Sequence, residues 1–201
     1  MIADTHCPEF LDALPEGVFE AFRGVDLILH AGDVNERSTL DRLGAIAQVE
    51  AVRGDHDAAL TELPRVRQLA IDGRRIVLVH GERPRWVEEP NTLLWTLSLG
   101  YFTPNRRIAE ALRRRFPRAD VIVYGHTHRP RAQSVGGALV FNPGAVHQWN
   151  PVTARHRLGQ GPGWFESCWL QVAKHIRRYE SPTVGILEFR DGVVEPAIVP
   201  L

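Results

Sequence analysis

The chain has 201 residues, enough for one domain of ordinary size to bury a core without disulfide or metal staples. Its 24 basic and 24 acidic residues cancel to a formal charge of zero, which excludes the global polycation or polyanion that would make nucleic acid or a membrane surface an obligate partner. Cys7 and Cys168 make no disulfide framework, no apolar run approaches the length of a membrane span, and no signal-like leader precedes the first motif, so a cytoplasmic setting is expected.

Taken in chain order, Asp4-Thr5-His6 follows only Met1, Ile2 and Ala3, shorter than a typical strand of about five residues. The chain start either lies upstream or the strand is truncated, and truncation would loosen Asp4 and His6. A helix is expected near 14–22, then a buried strand over Val25–His30 (VDLILH), a helix near 38–48 with Ser38 as its cap, and strands over Val49–Val52 and Ile76–His80. Thr103 and Pro104 open a helix over 104–116, and strands follow at Val121–Tyr124, Leu139–Phe141 and Val184–Phe189. Asp72-Gly73, Gly136-Gly137 and Asp191-Gly192 are hairpin turns between such runs. The pattern is layered α/β with an antiparallel admixture, in a single domain spanning 1–201.

The polar motifs fall at the strand ends. Asp4-Thr5-His6, His30-Ala31-Gly32-Asp33, Gly54-Asp55-His56-Asp57, His80-Gly81 and Gly125-His126-Thr127-His128 each follow an apolar run. In layered α/β folds this edge binds ligands, because loops leaving neighbouring strands converge there. Read alone, RGDHD (53–57) is an ordinary polar turn and a lone His-X-His is a surface pair. Five motifs on the same kind of edge make that reading require five coincidences. Together they supply His6, His80, His126 and His128 with Asp4, Asp33 and Asp55, more ligands than one metal needs. A mixed nitrogen and oxygen set of this size suits two divalent ions, manganese first, with iron, zinc, nickel or cobalt as alternatives. Asp33 is the candidate for the carboxylate that bridges them.

The ordered set DTH, GD, GDHD, VHG and GHTH resembles the calcineurin-like metallophosphoesterase superfamily, and within it the small uncapped bacterial and archaeal phosphodiesterases, which also carry an NPG segment such as Asn142-Pro143-Gly144. The resemblance covers roughly 1–82, 119–146 and 183–199. It implies a four-layer α/β/β/α sandwich and a dinuclear metal centre, with one ion held by Asp4, His6, Asp33 and His128 and the other by Asp33, Asp55, His80 and His126. It also implies a phosphoester hydrolase, a phosphodiesterase by its nearest likeness, in which a hydroxide bridging the metals attacks phosphorus and His56 protonates the leaving alkoxide. Glu36, three residues after Asp33, stands where related enzymes carry an acid that orients that histidine, Asp57 is expected to support the loop backbone, and Arg129 is placed to contact a substrate phosphate.

One residue departs from the pattern. Most active relatives carry Asn at the position of Asp55, and the carboxylate lowers the positive charge of the centre and removes an N–H, which disfavours dianionic monoesters relative to diesters. The same Gly-Asp-X-Asp form occurs in the retromer subunit that resembles this fold and works as a scaffold, so a catalytically weak scaffold is the alternative.

Residues 83–118 and 147–182 lie outside the resemblance as insertions. The first contains LLWTLSLGYF (93–102), and the second has Phe165, Cys168, Trp169, Val172 and Ile176 at helical spacing. They are expected to pack on each other or on the sheet, with a lid, a homo-oligomer surface or a membrane-surface contact as the other uses, and Trp149 as a residue that could stack on a base. The arginines 106, 107, 113, 114, 115 and 118 are read as a solvated helix face, which leaves nucleic acid unsupported as a partner beside a small phosphoester substrate. His30 is read as a hydrogen-bonded structural histidine, Cys7 as a small buried thiol, and His147, His156 and His175 carry no assignment.

Overall fold

The computed structural model describes residues 1–83, 85–99, 101 and 107–201. In chain order the elements are α1 (Glu16–Ala21), β1 (Leu27–His30), α2 (Arg37–Gly44), β2 (Gln48–Ala51), β3 (Val66–Ile71), β4 (Arg74–Val79), α3 (Arg85–Leu97), α4 (Ile108–Arg115), β5 (Val121–Tyr124), β6 (Arg131–Val135), β7 (Ala138–Asn142), α5 (Pro151–Gly159), α6 (Trp164–Ala173), β8 (Thr183–Arg190) and β9 (Val193–Pro200). They form two compact units: one of Met1–Glu82, Arg107–His147 and Pro182–Leu201, the other of Arg83–Arg106 and Gln148–Ser181.

The first unit is built by the two-residue period of its strands. One sheet has the order β3-β4-β5-β7-β6, with β4, β5 and β7 parallel and β3 and β6 antiparallel at its edges. Along it Ile76, Leu78, Val121, Val123 and Phe141 face one way and meet Ala3, Leu29, Ala31 and Val52 of a second layer. The residues between them, Val77, Val79, Ile122, Tyr124 and Val140, face the other way and are covered by Ile108, Ala109 and Leu112 of α4. In the second layer β1 and β2 run parallel, and β8 and β9 form a hairpin. Ile2, Ile28 and Val184 of that layer turn outward onto Val18 and Phe22 of α1 and its C-cap and onto Leu43 of α2. The result is the expected four-layer α/β/β/α sandwich.

Residues 1–3 join the two halves of the second layer despite their brevity. Ile2 N donates to Leu29 O at 2.9 Å and Ile2 O accepts from Ala31 N at 2.8 Å, while Met1 exchanges hydrogen bonds with Gly185 through its N-terminal amine (2.6 Å) and its carbonyl (2.9 Å). Asp4 N then donates to Gly32 O and His6 N to Asp33 O, both at 3.0 Å, so the two residues are fixed by backbone bonds rather than loosened.

All three expected hairpin turns are present, and in each both residues have positive φ: 48° and 71° at Asp72-Gly73, 54° and 79° at Gly136-Gly137, 52° and 74° at Asp191-Gly192. This is the backbone twist a two-residue hairpin requires. The strands β3, β6 and β9 escaped the sequence reading because their exposed positions break up the apolar signal. α2 begins at Arg37, so Ser38, the expected cap, lies inside the helix and Glu36 takes the N-cap position without a side-chain cap bond; the helix ends at Gly44, before the expected limit of 48. Residues 107–118, assigned above to an insertion, belong to the sandwich, because α4 supplies its outer apolar layer. Arg113 in that helix is a clamp rather than a solvated charge: its guanidinium donates to Phe116 O, Ala119 O and Gly136 O. Thr103, Pro104 and Arg106, and the side chain of Phe165, lie outside the described residues.

In the second unit α5 starts on a capping box, with the Asn150 side chain accepting from Val152 N and Thr153 N and Thr153 Oγ1 accepting from Asn150 N. Ala154, Leu170, Ala173 and Ile176 form its core with Trp95, Trp149, Leu158 and Trp169 around them. The two inserted segments therefore pack on each other. Trp169 donates through Nε1 to Thr96 Oγ1 at 2.8 Å and meets Trp149 edge-on at 4.8 Å, which gives Trp149 a place in this core. Cys168, counted in the apolar stripe, is exposed. Among the described residues no helix is long and apolar enough to cross a membrane.

His30 ends β1 fully buried, with Nε2 3.2 Å from Thr5 Oγ1 and Nδ1 accepting from Gly32 N. Burial pushes its pKa down to about 3. An unfolded histidine titrates near 6.5, so between those values the unfolded chain takes up a proton that the native state refuses. Stability is thus complete above about pH 6.5 and falls as pH drops, by about 1.4 kcal/mol per pH unit for one such group. Urea unfolding in chelator should show a pH dependence shallower by about one proton in His30→Gln than in wild type; parallel profiles would contradict this assignment.

Candidate metal centre

The strand-end loops hold their polar residues in strained backbone. Asp4 (φ 51°), His6 (47°), Asp33 (57°), His126 (65°) and His128 (54°) all adopt the left-handed conformation. Such φ values are uncommon for residues other than glycine and gather where function imposes them. In Asp4-Thr5-His6 and His126-Thr127-His128 both outer residues are left-handed, and the loop turns sharply enough for side chains two apart to converge.

What holds the Asp33 loop is Asp57. Its carboxylate is fully buried and accepts four backbone N–H groups: Asp33 (2.9 Å) and Gly54 (2.7 Å) on Oδ2, Val34 and Asn35 (both 2.7 Å) on Oδ1. Gly54 lies so close that a Cβ there would stand 2.2 Å from Asp33 Oδ1, which is why this position has no side chain. On the other side of the site Asn142, the first residue of the NPG segment, braces the GHTH loop. Its Nδ2 donates to Gly125 O (2.8 Å) and Thr127 Oγ1 (3.1 Å), and its Oδ1 accepts from Gly144 N.

The seven expected ligands come together. Ligand atoms of Asp4, His6 and His128 lie within 4.8 Å of one another, and so do those of Asp55, His80 and His126. Asp33 sits between the sets: its Oδ2 is 3.6 Å from His6 Nε2 and 3.4 Å from His80 Nε2, while its Oδ1 accepts from His56 N at 2.9 Å. His128 Nε2 is 3.6 Å from Asp4 Oδ1, and His126 Nδ1 is 3.5 Å from Asp55 Oδ2. Ligands 2.0–2.2 Å from one ion stand roughly 3–3.5 Å apart, so these separations, long for hydrogen bonds, suit edges of a coordination shell.

The chemistry of the donors also fits a cation. His80 Nδ1 is 2.8 Å from Ala31 O, which as an acceptor fixes the proton on that nitrogen and turns Nε2 toward Asp33. His80 Nε2 and His6 Nδ1 are buried with no hydrogen-bond partner. Burial alone would depress the His80 pKa, but the Asp33 carboxylate, with Asp4 behind it, overrides this and pushes it up to about 10. Burial raises Asp4, and the histidines His80 and His6 hold Asp33 well below the usual carboxylate range against its own burial. Without a metal, the site therefore collects a proton where a positive charge is needed.

Two further residues complete the picture. His56 projects beside His6, edge-on at 4.8 Å, with Nδ1 3.0 Å from Glu9 Oε2; that hydrogen bond raises its pKa. Glu36, the residue expected to orient it, is exposed and accepts from Ser38 Oγ instead. His147, left unassigned from sequence, is buried at the site, its ring 5.7 Å from His6 and 6.3 Å from His128, and burial lowers its pKa to about 3. Its backbone N–H donates to Asp4 O at 3.0 Å. Nothing local in the sequence marks it; it comes to the site because the NPG segment lies against the GHTH loop. Cys7 is a buried thiol pushed up to about 11 by burial, and neither it nor His30 belongs to a ligand group among the described residues. Arg129 follows His128, partly buried.

Asp57→Ala would strand three buried N–H groups and the half-buried one of Asn35, at a cost of about 3–5 kcal/mol. Urea unfolding should register that loss, together with weaker divalent-metal binding in calorimetry; a variant within about 0.5 kcal/mol of wild type would show that the loop holds itself.

Comparison with known proteins agrees with this architecture. The profile of the calcineurin-like phosphoesterase superfamily domain matches residues 1–158. A protein named "Probable metallophosphoesterase" from Methanothermobacter thermautotrophicus is 37% identical over 147 residues, 72% of this chain and 74% of that protein. Among solved structures, wild-type Vps29 complexed with zinc from Entamoeba histolytica aligns at a TM-score of 0.62 with 20% identity, covering 99% of this chain and 96% of that one. A structure described as a novel archaeal phosphodiesterase aligns at 0.52 with 19% identity, covering 98% and 97%. At such identities these two likenesses speak to the fold. The profile match and the archaeal relative go further: this chain belongs to the calcineurin-like phosphoesterase superfamily, hydrolases that bind divalent metal ions.

Proposed function

We propose that the protein is a metal-dependent phosphodiesterase with two divalent ions, manganese foremost. The observation that carries this reading is the position of Asp33 Oδ2 between His6 and His80, which links the two ligand sets through one oxygen. Asp4, His6, Asp33 and His128 would hold one ion, and Asp33, Asp55, His80 and His126 the other. When bound, such a pair supplies Lewis acidity that activates water near neutral pH and neutralises phosphoryl oxygens.

The chain's own residues do the rest. Water oxygen bonds to phosphorus and its proton passes to solvent, the P–O bond to the leaving group breaks, and its electron pair stays on the leaving oxygen, which takes a proton from Nε2 of His56 in its imidazolium form. His56 suits this role because its other nitrogen is occupied by Glu9. Arg129 offers a planar guanidinium to a non-bridging phosphoryl oxygen. Asp55 adds a third carboxylate to the ligand set and lowers its net positive charge, which favours a monoanionic diester over a dianionic monoester. The free thiols, one of them exposed, accord with a reducing cytoplasmic setting.

Protein purified without chelator should carry divalent metal by elemental analysis and hydrolyse bis(p-nitrophenyl) phosphate after loading with manganese. Asp33→Asn should lose both properties. Metal bound at full occupancy without turnover of any diester or monoester would favour the alternative, a phosphoesterase-fold scaffold. Asp55→Asn should raise the ratio of monoester to diester kcat/KM by about tenfold, the equivalent of about 1.4 kcal/mol; an unchanged ratio would remove Asp55 as the source of the preference.

A further inference from the structure

The carboxylate that reaches His56 comes from an unexpected part of the chain. Glu36 occupies the N-cap position of α2 in extended backbone (φ −130°, ψ 149°) without a capping bond, and Ser38 Oγ donates to its Oε2 at 3.2 Å. Glu9 lies two residues past Cys7, in the loop that follows the first motif. Cys7 pairs with Asn35 in an isolated parallel bridge, Thr39 Oγ1 donates to Cys7 O at 3.3 Å, and Phe10 N donates to His6 O at 2.8 Å. These bonds fix the 7–10 loop against the 33–39 segment. From there one oxygen of Glu9, Oε2, receives both the Asn35 amide and His56 Nδ1, the latter at 3.0 Å. Phe10 stands behind, its ring 5.0 Å from His6 and 5.8 Å from His56 in an edge contact.

We infer that Glu9 is the positioning residue for His56: through the Nδ1–H···Oε2 bond it fixes the ring plane and keeps the Nδ1 proton in place, so that the second proton of the imidazolium, on Nε2, faces the leaving group, and it takes over the task that the motif pattern assigns to Glu36. The inference rests on the proposed role of His56. A carboxylate held on Nδ1 does for a histidine acid what outer partners do for metal-bound imidazoles, setting which nitrogen works. The double use of Oε2 matters. Asn35, anchored by its own N–H on Asp57, restrains Glu9 in turn, so the orientation of His56 is referred back to the same loop that presents Asp33.

The test separates positioning from loop support. A general acid matters most when the leaving oxygen is basic, so a series of aryl phosphodiesters from p-nitrophenyl to phenyl resolves the role. In the manganese-loaded enzyme, Glu9→Ala should lower kcat for the phenyl ester about tenfold more than for the p-nitrophenyl ester, and Glu36→Ala should leave the ratio unchanged. Asn35→Gly, which keeps the positive φ and removes the amide that restrains Glu9, should shift the ratio in the same direction as Glu9→Ala but by a smaller factor. Added to His56→Ala, Glu9→Ala should cost nothing further. A uniform loss across the series, or an additive loss in the double variant, would reduce Glu9 to a loop support. Loss of one metal equivalent in His56→Ala would make that histidine a ligand and overturn the inference equally. A second readout needs no turnover: long-range proton–nitrogen spectra of the metal-free protein should show His56 as the Nδ1–H form in wild type and shifted toward Nε2–H in Glu9→Ala. If wild type hydrolyses no ester, the functional reading fails while this spectrum still decides whether Glu9 sets the ring.

Discussion

The buried carboxylate of Asp57 is the constraint on which the site depends. Four backbone N–H groups from two loops point at it, and without a shared acceptor those of Asp33, Val34 and Gly54 would be buried with no partner. Their convergence fixes the path of the chain around Asp33 and sets its side chain between His6 and His80. One acidic residue that touches no candidate cation thereby decides where the one touching both ligand sets will be. The glycine beside it follows from the same crowding, since the Asp33 carboxylate occupies the space a Cβ would need.

Strain and charge are offset by the same geometry. Five of the seven candidate ligands sit at positive φ, a conformation that costs of order 1–3 kcal/mol for each such residue. Surrounding hydrogen bonds hold them there: Asp4 is gripped by Gly32 O, its carboxylate by His126 N, and the loop of His126 by Asn142. The carboxylates in turn gather imidazoles, and Asp33 raises the pKa of His80 against its burial. Two buried carboxylates, Asp4 and Asp33, stand this close in a protein interior only where something positive offsets them.

Legibility in the sequence followed the strength of the local signal. β5 reads VIVY, four buried residues, and its limits were read directly; β6 reads RAQSV, with exposed positions breaking up the run, and was missed although the Gly136-Gly137 turn beside it was recognised. The ligand set was readable because a Asp-X-His or His-X-His pair has few reasons to recur at successive strand ends. Glu9 and His147 were not, since nothing local marks either: Glu9 acts through a loop folded back on Asn35, and His147 reaches the site only because the NPG segment turns beside the GHTH loop. Glu36 shows the converse, a residue at the expected spacing whose helix start directs it to solvent. Tertiary placement, invisible in spacing, decided all three.

The candidate ligands divide by layer. All three carboxylates and His6 leave the sheet that contains residues 1–3, β1 and β2, whereas His80, His126 and His128 leave the sheet of β4 and β5. Neither layer alone can complete either half of the centre. A cation pair seated there would rivet the sandwich along one rim, so that sliding of one sheet over the other becomes costly at that rim and any breathing of the layers is shifted away from it, toward β3, β8 and β9, which are held by apolar packing with the Arg67–Glu50 ion pair and the Arg74 guanidinium on Gly192 O.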